Sequence, residues 1–211
     1  MNKIIRVPSV AEEINNYKKM KGLQITYFTV IATILFFVPF LLFAQKNQVQ
    51  YKFIVSDTGY TFFGSFESNA DPECVLDISF AFKHQKNLAP WAKEIRLDDQ
   101  GENWNRLCFI VKKFGLFKNT STWNRVLNQK KLRVDFTLIN NSNKSSILPD
   151  IISSKGFYQI KKVNESILVK YYQECELTKS FISDIYINQG KKEAIKFLYT
   201  FSKYTNTICV N

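Results

Sequence analysis

Few side chains in this sequence have the type and spacing that catalysis or metal binding requires. The 211-residue chain has a single histidine, His84, which nearly excludes multi-histidine metal sites and leaves one candidate for a Ser/His or Cys/His arrangement. The surrounding residues, FKHQKN, indicate that His84 lies on the surface of a helix. We therefore predict no metal site, no cofactor and no catalytic residue, and we expect binding rather than catalysis.

The cysteines show no spacing typical of metal or redox motifs. There are four of them, Cys74, Cys108, Cys175 and Cys209. Zinc ribbons and thioredoxin-type sites need a C-x-x-C spacing, which is absent. An even number of cysteines permits disulfides in an oxidising compartment. Free, buried thiols are an alternative that the sequence supports equally well.

A polar side chain within one predicted strand suggests a binding function. In SILVKYYQECEL, one face carries Ile167, Val169, Tyr171, Gln173, Cys175 and Leu177. Gln173 is the polar member of this otherwise apolar face. A buried amide needs hydrogen-bond partners, so Gln173 implies a polar network, a water or a ligand, and a neighbouring side chain is the commonest partner.

Alternating apolar and polar residues predict further antiparallel strands. TGYTFFGSFES predicts a first strand, after which Asn69 or Asp71 caps two short helices within 72–89. Two hairpins follow, with turns at DDQGEN and NQKK. Their predicted inward residues are Leu107, Phe109 and Val111 in the first hairpin, and Leu132, Val134, Phe136 and Leu138 in the second.

The last segment, KKEAIKFLYTFSKYTNTI, predicts a long amphipathic helix. Its apolar stripe consists of Ala194, Phe197, Leu198, Phe201 and Tyr204. A helix with so wide an aromatic face must pack on a large apolar surface. The apolar face of the sheet is the available partner.

An uncharged segment, 23–45, predicts a membrane anchor. It is long enough to cross about 30 Å of hydrocarbon, and the lysines before it place the N-terminus in the cytoplasm. A secretory signal ending at Ala44 is the alternative. Both interpretations put the large domain outside the cytoplasm, and the anchor interpretation also keeps it at the cell membrane. The predicted organisation is a cytoplasmic tail (1–22), a transmembrane anchor or signal sequence (23–45), a linker or leading strand (46–57) and a folded domain (58–211).

The sequence does not indicate a nucleic-acid partner, although its net charge is +11. The lysines are scattered, and no basic run with interleaved aromatic residues is present. A basic domain beside a membrane suits anionic lipid or an acidic protein partner.

Two segments resemble motifs of the START-like (SRPBCC) helix-grip family. SFESNADPECVLDISFAF resembles the first strand and the Pro-Glu helix start of that family, and GFYQIKKVNESILVKYYQ resembles the strand pair that precedes its last helix. The order of strand, two short helices, antiparallel strands and long helix agrees. The resemblance implies an α+β fold in which an antiparallel sheet wraps around the C-terminal helix. It also implies a cavity for lipids, sterols, quinones or polyketides, in which some members catalyse cyclisation or aromatisation.

The resemblance also implies where the cavity and a disulfide lie. The predicted cavity residues are Phe109, Trp123, Phe136, Tyr171, Gln173, Phe197 and Phe201, with Trp123 near the opening. In a helix grip the short helices brace the end of the long helix, so Cys74 and Cys209 are expected to approach each other. Cys108 and Cys175 face opposite sides of the sheet and are expected not to pair.

Three functions fit these observations. The first is a membrane-anchored, extracytoplasmic binder or carrier of a hydrophobic or lipid-like ligand. The second is a docking subunit of an envelope assembly, with an NTF2-like domain or a filled helix grip; NTF2-like domains open with helices, whereas this one opens with a strand. The third is a cyclase-type enzyme that uses a cavity residue such as Tyr171 as an acid. A cavity favours the first, and a filled core favours the second.

Overall fold

The computed structural model describes residues 49–113, 117–143 and 148–210. The predicted tail and anchor, 1–45, lie outside the described residues. No helix within the described ranges has the length and apolarity needed to cross a membrane.

A single antiparallel sheet contains all eight strands of the described ranges. They are β1 Gln50–Ser56, β2 Gly59–Ser68, β3 Glu94–Gln100, β4 Trp104–Lys113, β5 Phe117–Asn128, β6 Arg133–Asn143, β7 Ile151–Val163 and β8 Ser166–Leu177. Their spatial order is β1-β2-β8-β7-β6-β5-β4-β3. Strand β2 therefore pairs with the last strand, β8, and the predicted α+β antiparallel sheet is confirmed. Strand β1, Gln50–Ser56, lies within the segment 46–57, which the sequence assigned to a linker or a leading strand.

The predicted hairpin at NQKK forms, but one residue was assigned wrongly. A 3-10 turn, Gln129–Lys131, separates β5 from β6, and Leu132 follows it at φ 47° instead of lying in the strand. This left-handed conformation reverses the chain after the short turn. Leu132 nevertheless packs its side chain against the core.

Two short helices follow β2, as predicted. Helix α1, Pro72–Phe80, begins at Asp71, whose carboxylate accepts a 2.8 Å hydrogen bond from the backbone N–H of Cys74. Only Ala81 separates α1 from helix α2, Phe82–Leu88. The backbone of Ala81 is extended, which ends one helix before the next begins. The break leaves the carbonyl groups at the end of α1 facing the sheet, where a side chain from β5 reaches them.

The long C-terminal helix, α3, spans Ser183–Ile208 and begins earlier than the predicted segment at Lys191. Its added first turns are held by burial of Tyr186 and Ile187 in a small apolar cluster with Tyr60 and Leu177. The predicted stripe is confirmed at its centre, since Ala194, Leu198 and Phe201 are buried.

The helix packs closely on the sheet because β2 has a glycine where the two elements meet. A Cβ atom at Gly64 would lie 2.5 Å from Cδ2 of Leu198, so a side chain at this position would force Leu198 to move.

The end of α3 is tied to the start of α1. Cys74 and Cys209 form a disulfide with a Cα–Cα distance of 5.8 Å, which joins residues 135 positions apart. The hydroxyl of Ser68 also donates a 2.6 Å hydrogen bond to Oδ1 of Asn206. Cys108 and Cys175 are buried thiols. The strand register places them on opposite faces of the sheet.

Candidate functional site

A cavity of about 210 Å³ lies between α3 and the inward face of the sheet. Strands β4 to β8 supply one wall, α3 supplies the opposite wall, and the α2–β3 connection contributes Ala89 and Trp91. The strand alternation produces this lining, because residues at i and i+2 point to the same side. On β5, for example, the lining residues are Asn119, Ser121, Trp123 and Arg125.

Aromatic rings form most of the apolar wall. Tyr171 lies at its centre, with its ring centroid 5.2 Å from that of Phe197 and 5.3 Å from that of Tyr158. The ring of Phe136 lies 5.9 Å from Tyr171 and 5.8 Å from Trp123. These spacings are those of favourable aromatic pairs, so the wall is a continuous packed surface.

A glycine makes room for this wall. A Cβ atom at Gly156 would lie 2.4 Å from the Phe136 ring and 2.1 Å from the carbonyl oxygen of Tyr172. Gly156 therefore allows the Phe136 ring to lie across β7, beside Tyr158 and Tyr171. Any larger side chain there would displace the ring.

The structure brings six of the seven predicted cavity residues to this lining: Phe109, Trp123, Phe136, Tyr171, Gln173 and Phe197. The seventh, Phe201, lies in the solid core below the cavity. It is fully buried, and its ring lies 5.3 Å from that of Phe66. One helical turn thus separates a cavity residue, Phe197, from a core residue, Phe201.

Gln173 belongs to a short hydrogen-bonded network. The hydroxyl of Tyr171 donates to Oε1 of Gln173 at 2.7 Å, and Nε2 of Gln173 donates to Oγ of Ser154 at 3.2 Å. Ser154 in turn donates to the carbonyl oxygen of Glu174 at 2.8 Å. Neighbouring side chains therefore supply partners for the amide. Burial raises the pKa of Tyr171 well above its ordinary value, so its phenol is protonated at neutral pH.

Arg125 is a lining residue that the sequence interpretation missed. Its guanidinium donates to the carbonyl oxygens of Ser79 and Phe80, the latter at 3.0 Å, and approaches Oδ1 of Asn105 at 3.5 Å. Burial lowers the pKa of Arg125 to about 10, so the side chain remains charged at neutral pH. The sequence could have indicated that Arg125 faces the cavity, because it lies two residues after Trp123 and residues two apart on a strand share a face.

Tyr158 is the second missed residue. Its ring packs on Phe136 and Tyr171, with centroids 5.1 and 5.3 Å away. Burial raises the pKa of Tyr158 to about 12, while the positive charge of Arg125 acts in the opposite direction. The phenol therefore holds its proton beside the guanidinium.

Asn119 is a third missed residue. Its side chain is 3% exposed and lines the cavity, and its Nδ2 group has no hydrogen-bond partner. Such buried donors are uncommon in folded proteins. No sequence pattern singled it out, because asparagine is frequent in strand ends and turns.

His84 takes a structural position away from the cavity. It lies on α2, as predicted, but its side chain is only 14% exposed rather than on the open surface. Its Nδ1 lies 2.9 Å from the hydroxyl of Tyr204 and its Nε2 lies 3.2 Å from Oδ2 of Asp77. His84 thus connects the two short helices to α3.

Known structures share this architecture, although no protein-family model and no curated protein sequence matches the chain. A STAR-related lipid transfer protein from Xanthomonas axonopodis superposes with a TM-score of 0.59 at 9% identity, over 74% of this chain and 93% of that one. The Zhui aromatase/cyclase from Streptomyces superposes with a TM-score of 0.57 at 9% identity, over 75% of this chain and 94% of that one. A START superfamily protein from Mycobacterium smegmatis superposes with a TM-score of 0.56 at 10% identity, over 71% of this chain and 99% of that one. The described domain therefore has the START-like (SRPBCC) helix-grip fold, and at these identities the likeness extends to the fold alone.

Proposed function

We propose that this protein binds or carries a small hydrophobic ligand in the cavity between α3 and the sheet. The observation that carries the proposal is an unfilled space of about 210 Å³ beside a continuous aromatic wall. Folded proteins seldom leave such space in an apolar core, because it removes favourable packing contacts. The shared fold with a STAR-related lipid transfer protein supports the same function.

We further propose that the segment 23–45 holds the domain at the outer face of the membrane. Its length and lack of charge support this, together with the lysines that precede it. A tether would shorten the path of a hydrophobic ligand between the bilayer and the cavity. A reporter that is active only outside the cytoplasm, fused after Asn211, tests this topology and should be active; an inactive reporter would contradict it.

Neither alternative function is favoured by a specific observation. A docking module needs no cavity. A cyclase needs an acid–base group, and the described lining contains no histidine and only one carboxylate, that of Glu193. Tyr171 also holds its proton more firmly than an ordinary phenol does.

Binding can be tested with naphthalene, a neutral aromatic probe, by titrating the full chain in phospholipid nanodiscs. Trp91 and Trp123 line the cavity and report occupancy through their fluorescence. We expect saturable binding that Ala194→Leu weakens, because the added carbons enter the cavity. Lys192→Leu, at an exposed position on the same helix, is the matched control and should bind as the wild type does. Equal binding by both variants would contradict the proposed site.

A further inference from the structure

One part of the cavity has a buried positive charge without a counter-ion. The carbonyl groups that Arg125 contacts, from Ser79 and Phe80, are neutral, as is the Asn105 amide. In the described part of the chain no carboxylate lies within ion-pair distance of this guanidinium. The carbonyl groups at the C-terminal end of α1 offset part of the cost of burying this cation, and no carboxylate completes an ion pair with it.

A second donor faces the same part of the cavity. Tyr158 lines the same cavity from β7, which only β6 separates from the strand of Arg125, and its hydroxyl makes no hydrogen bond within the described residues. A protonated phenol and a guanidinium both offer N–H or O–H groups. The pair therefore suits a group that accepts two or more hydrogen bonds.

The other polar groups of the lining do not compete for this role. Tyr171, Gln173 and Ser154 satisfy one another. The carboxylate of Glu193 accepts a hydrogen bond from Gln189, on the same helix. The unpaired buried atom on the β5 wall, Nδ2 of Asn119, is again a donor. A ligand that fits this lining should therefore supply hydrogen-bond acceptors.

The size of the cavity limits the ligand. A dry protein cavity of about 150 Å³ is known to hold benzene. The space of about 210 Å³ therefore accommodates one aromatic ring with a short substituent. A ring also matches the wall formed by Phe136, Tyr171 and Phe197.

We propose that the ligand is a small amphipathic carboxylate, with an aromatic or short aliphatic body on the aromatic wall and its carboxylate at Arg125 and Tyr158. This inference rests on the proposed function and specifies the class of ligand. Arg125 supplies the charge, and its contacts with the carbonyl groups of α1 fix the guanidinium in place. The uncharged hydroxyl of Tyr158, on β7, donates a further hydrogen bond.

A matched pair of probes separates this inference from binding in general. We would titrate 4-phenylbutanoate and 4-phenylbutan-1-ol into the full chain in phosphatidylcholine nanodiscs near neutral pH, with calorimetry as the readout. The two probes differ in the charged head alone. Charge-assisted hydrogen bonds predict that the acid binds about tenfold or more tighter than the alcohol.

Two variants locate the effect. Arg125→Gln should lower acid affinity about tenfold or more and leave alcohol affinity nearly unchanged. Because Arg125 also holds the end of α1, Tyr158→Phe provides a second test that keeps the ring packing, and it should lower acid affinity about threefold to tenfold. Tyr172→Phe is the matched control, since that hydroxyl bonds to Glu174 on the other face of β8 and should not affect either probe.

The outcomes are distinct. Equal affinity of the wild type for acid and alcohol would overturn the carboxylate inference and leave the proposed binding function standing. Unchanged acid affinity in Tyr158→Phe and in a folded Arg125→Gln would also overturn it. Failure of both probes to bind the wild type would contradict both proposals.

Discussion

The hydroxyl of Tyr171 donates a 2.7 Å hydrogen bond to Oε1 of Gln173, two residues further along the same strand. Both side chains point into the cavity from β8. Each therefore satisfies a polar group that the aromatic wall would otherwise leave without a partner. This pair gives the first prediction.

Gln173→Leu should destabilise the domain by about 1–3 kcal/mol, because the buried Tyr171 hydroxyl then loses its acceptor. The double variant Tyr171→Phe/Gln173→Leu should cost less than the sum of the two single changes, since both partners are then apolar. Urea unfolding of the four proteins measures the coupling. Strictly additive losses would show that the hydrogen bond contributes no stability.

Two aromatic residues on one helix should respond differently to truncation. Phe201 is fully buried in solid core, so Phe201→Ala should cost about 3–5 kcal/mol. Phe197 already borders empty space, and Phe197→Ala should cost clearly less while weakening the binding of an apolar probe. Thermal unfolding together with probe titration checks both effects. Equal stability losses with unchanged binding would argue for a solid core.

The fold was largely predictable from the sequence because its signals are local. Strand alternation, the Asp71 cap and the apolar stripe of α3 each follow from neighbouring residues. The site was predictable where the inward residues are apolar, as at Phe136 and Phe197. Arg125 was missed because charged side chains usually face solvent on a strand, and Tyr158 was missed because the adjacent Phe157 is also aromatic, so alternation does not show which of the two faces inward. Their inward orientation follows the strand alternation, since Arg125 lies two residues after Trp123 on β5 and Tyr158 lies two residues after Gly156 on β7.

The disulfide should contribute substantially to stability. Closing a loop between residues 135 positions apart restricts the unfolded chain, and such bridges contribute about 2–5 kcal/mol. Cys74→Ser/Cys209→Ser should therefore lower the free energy of unfolding by that amount. Cys108→Ala, which changes a buried thiol outside the bridge, is the control and should cost less. A double variant as stable as the wild type would contradict a structural role for the bridge.

Alkaline pH should destabilise the domain through Tyr158. Burial raises its pKa from 10.0 to about 12 in the folded state. Above the unfolded pKa the unfolded chain releases this proton first, so the stabilising contribution is complete below pH 10 and is lost as pH rises through about 12. The predicted loss is about 2–3 kcal/mol at most. Tyr158→Phe should flatten this part of the stability profile, whereas Tyr199→Phe, at an exposed position, should not. Identical profiles for Tyr158→Phe and the wild type would refute the assignment.

Native mass spectrometry of the full chain, released from mild detergent, tests the central claim most directly. We predict an additional mass, bound one to one, that survives gentle activation and dissociates as a small hydrophobic molecule. Ala194→Leu should reduce the occupied fraction, and Lys192→Leu should not. A chain that is always unliganded and that takes up no added naphthalene would contradict a ligand-binding cavity and favour a docking module.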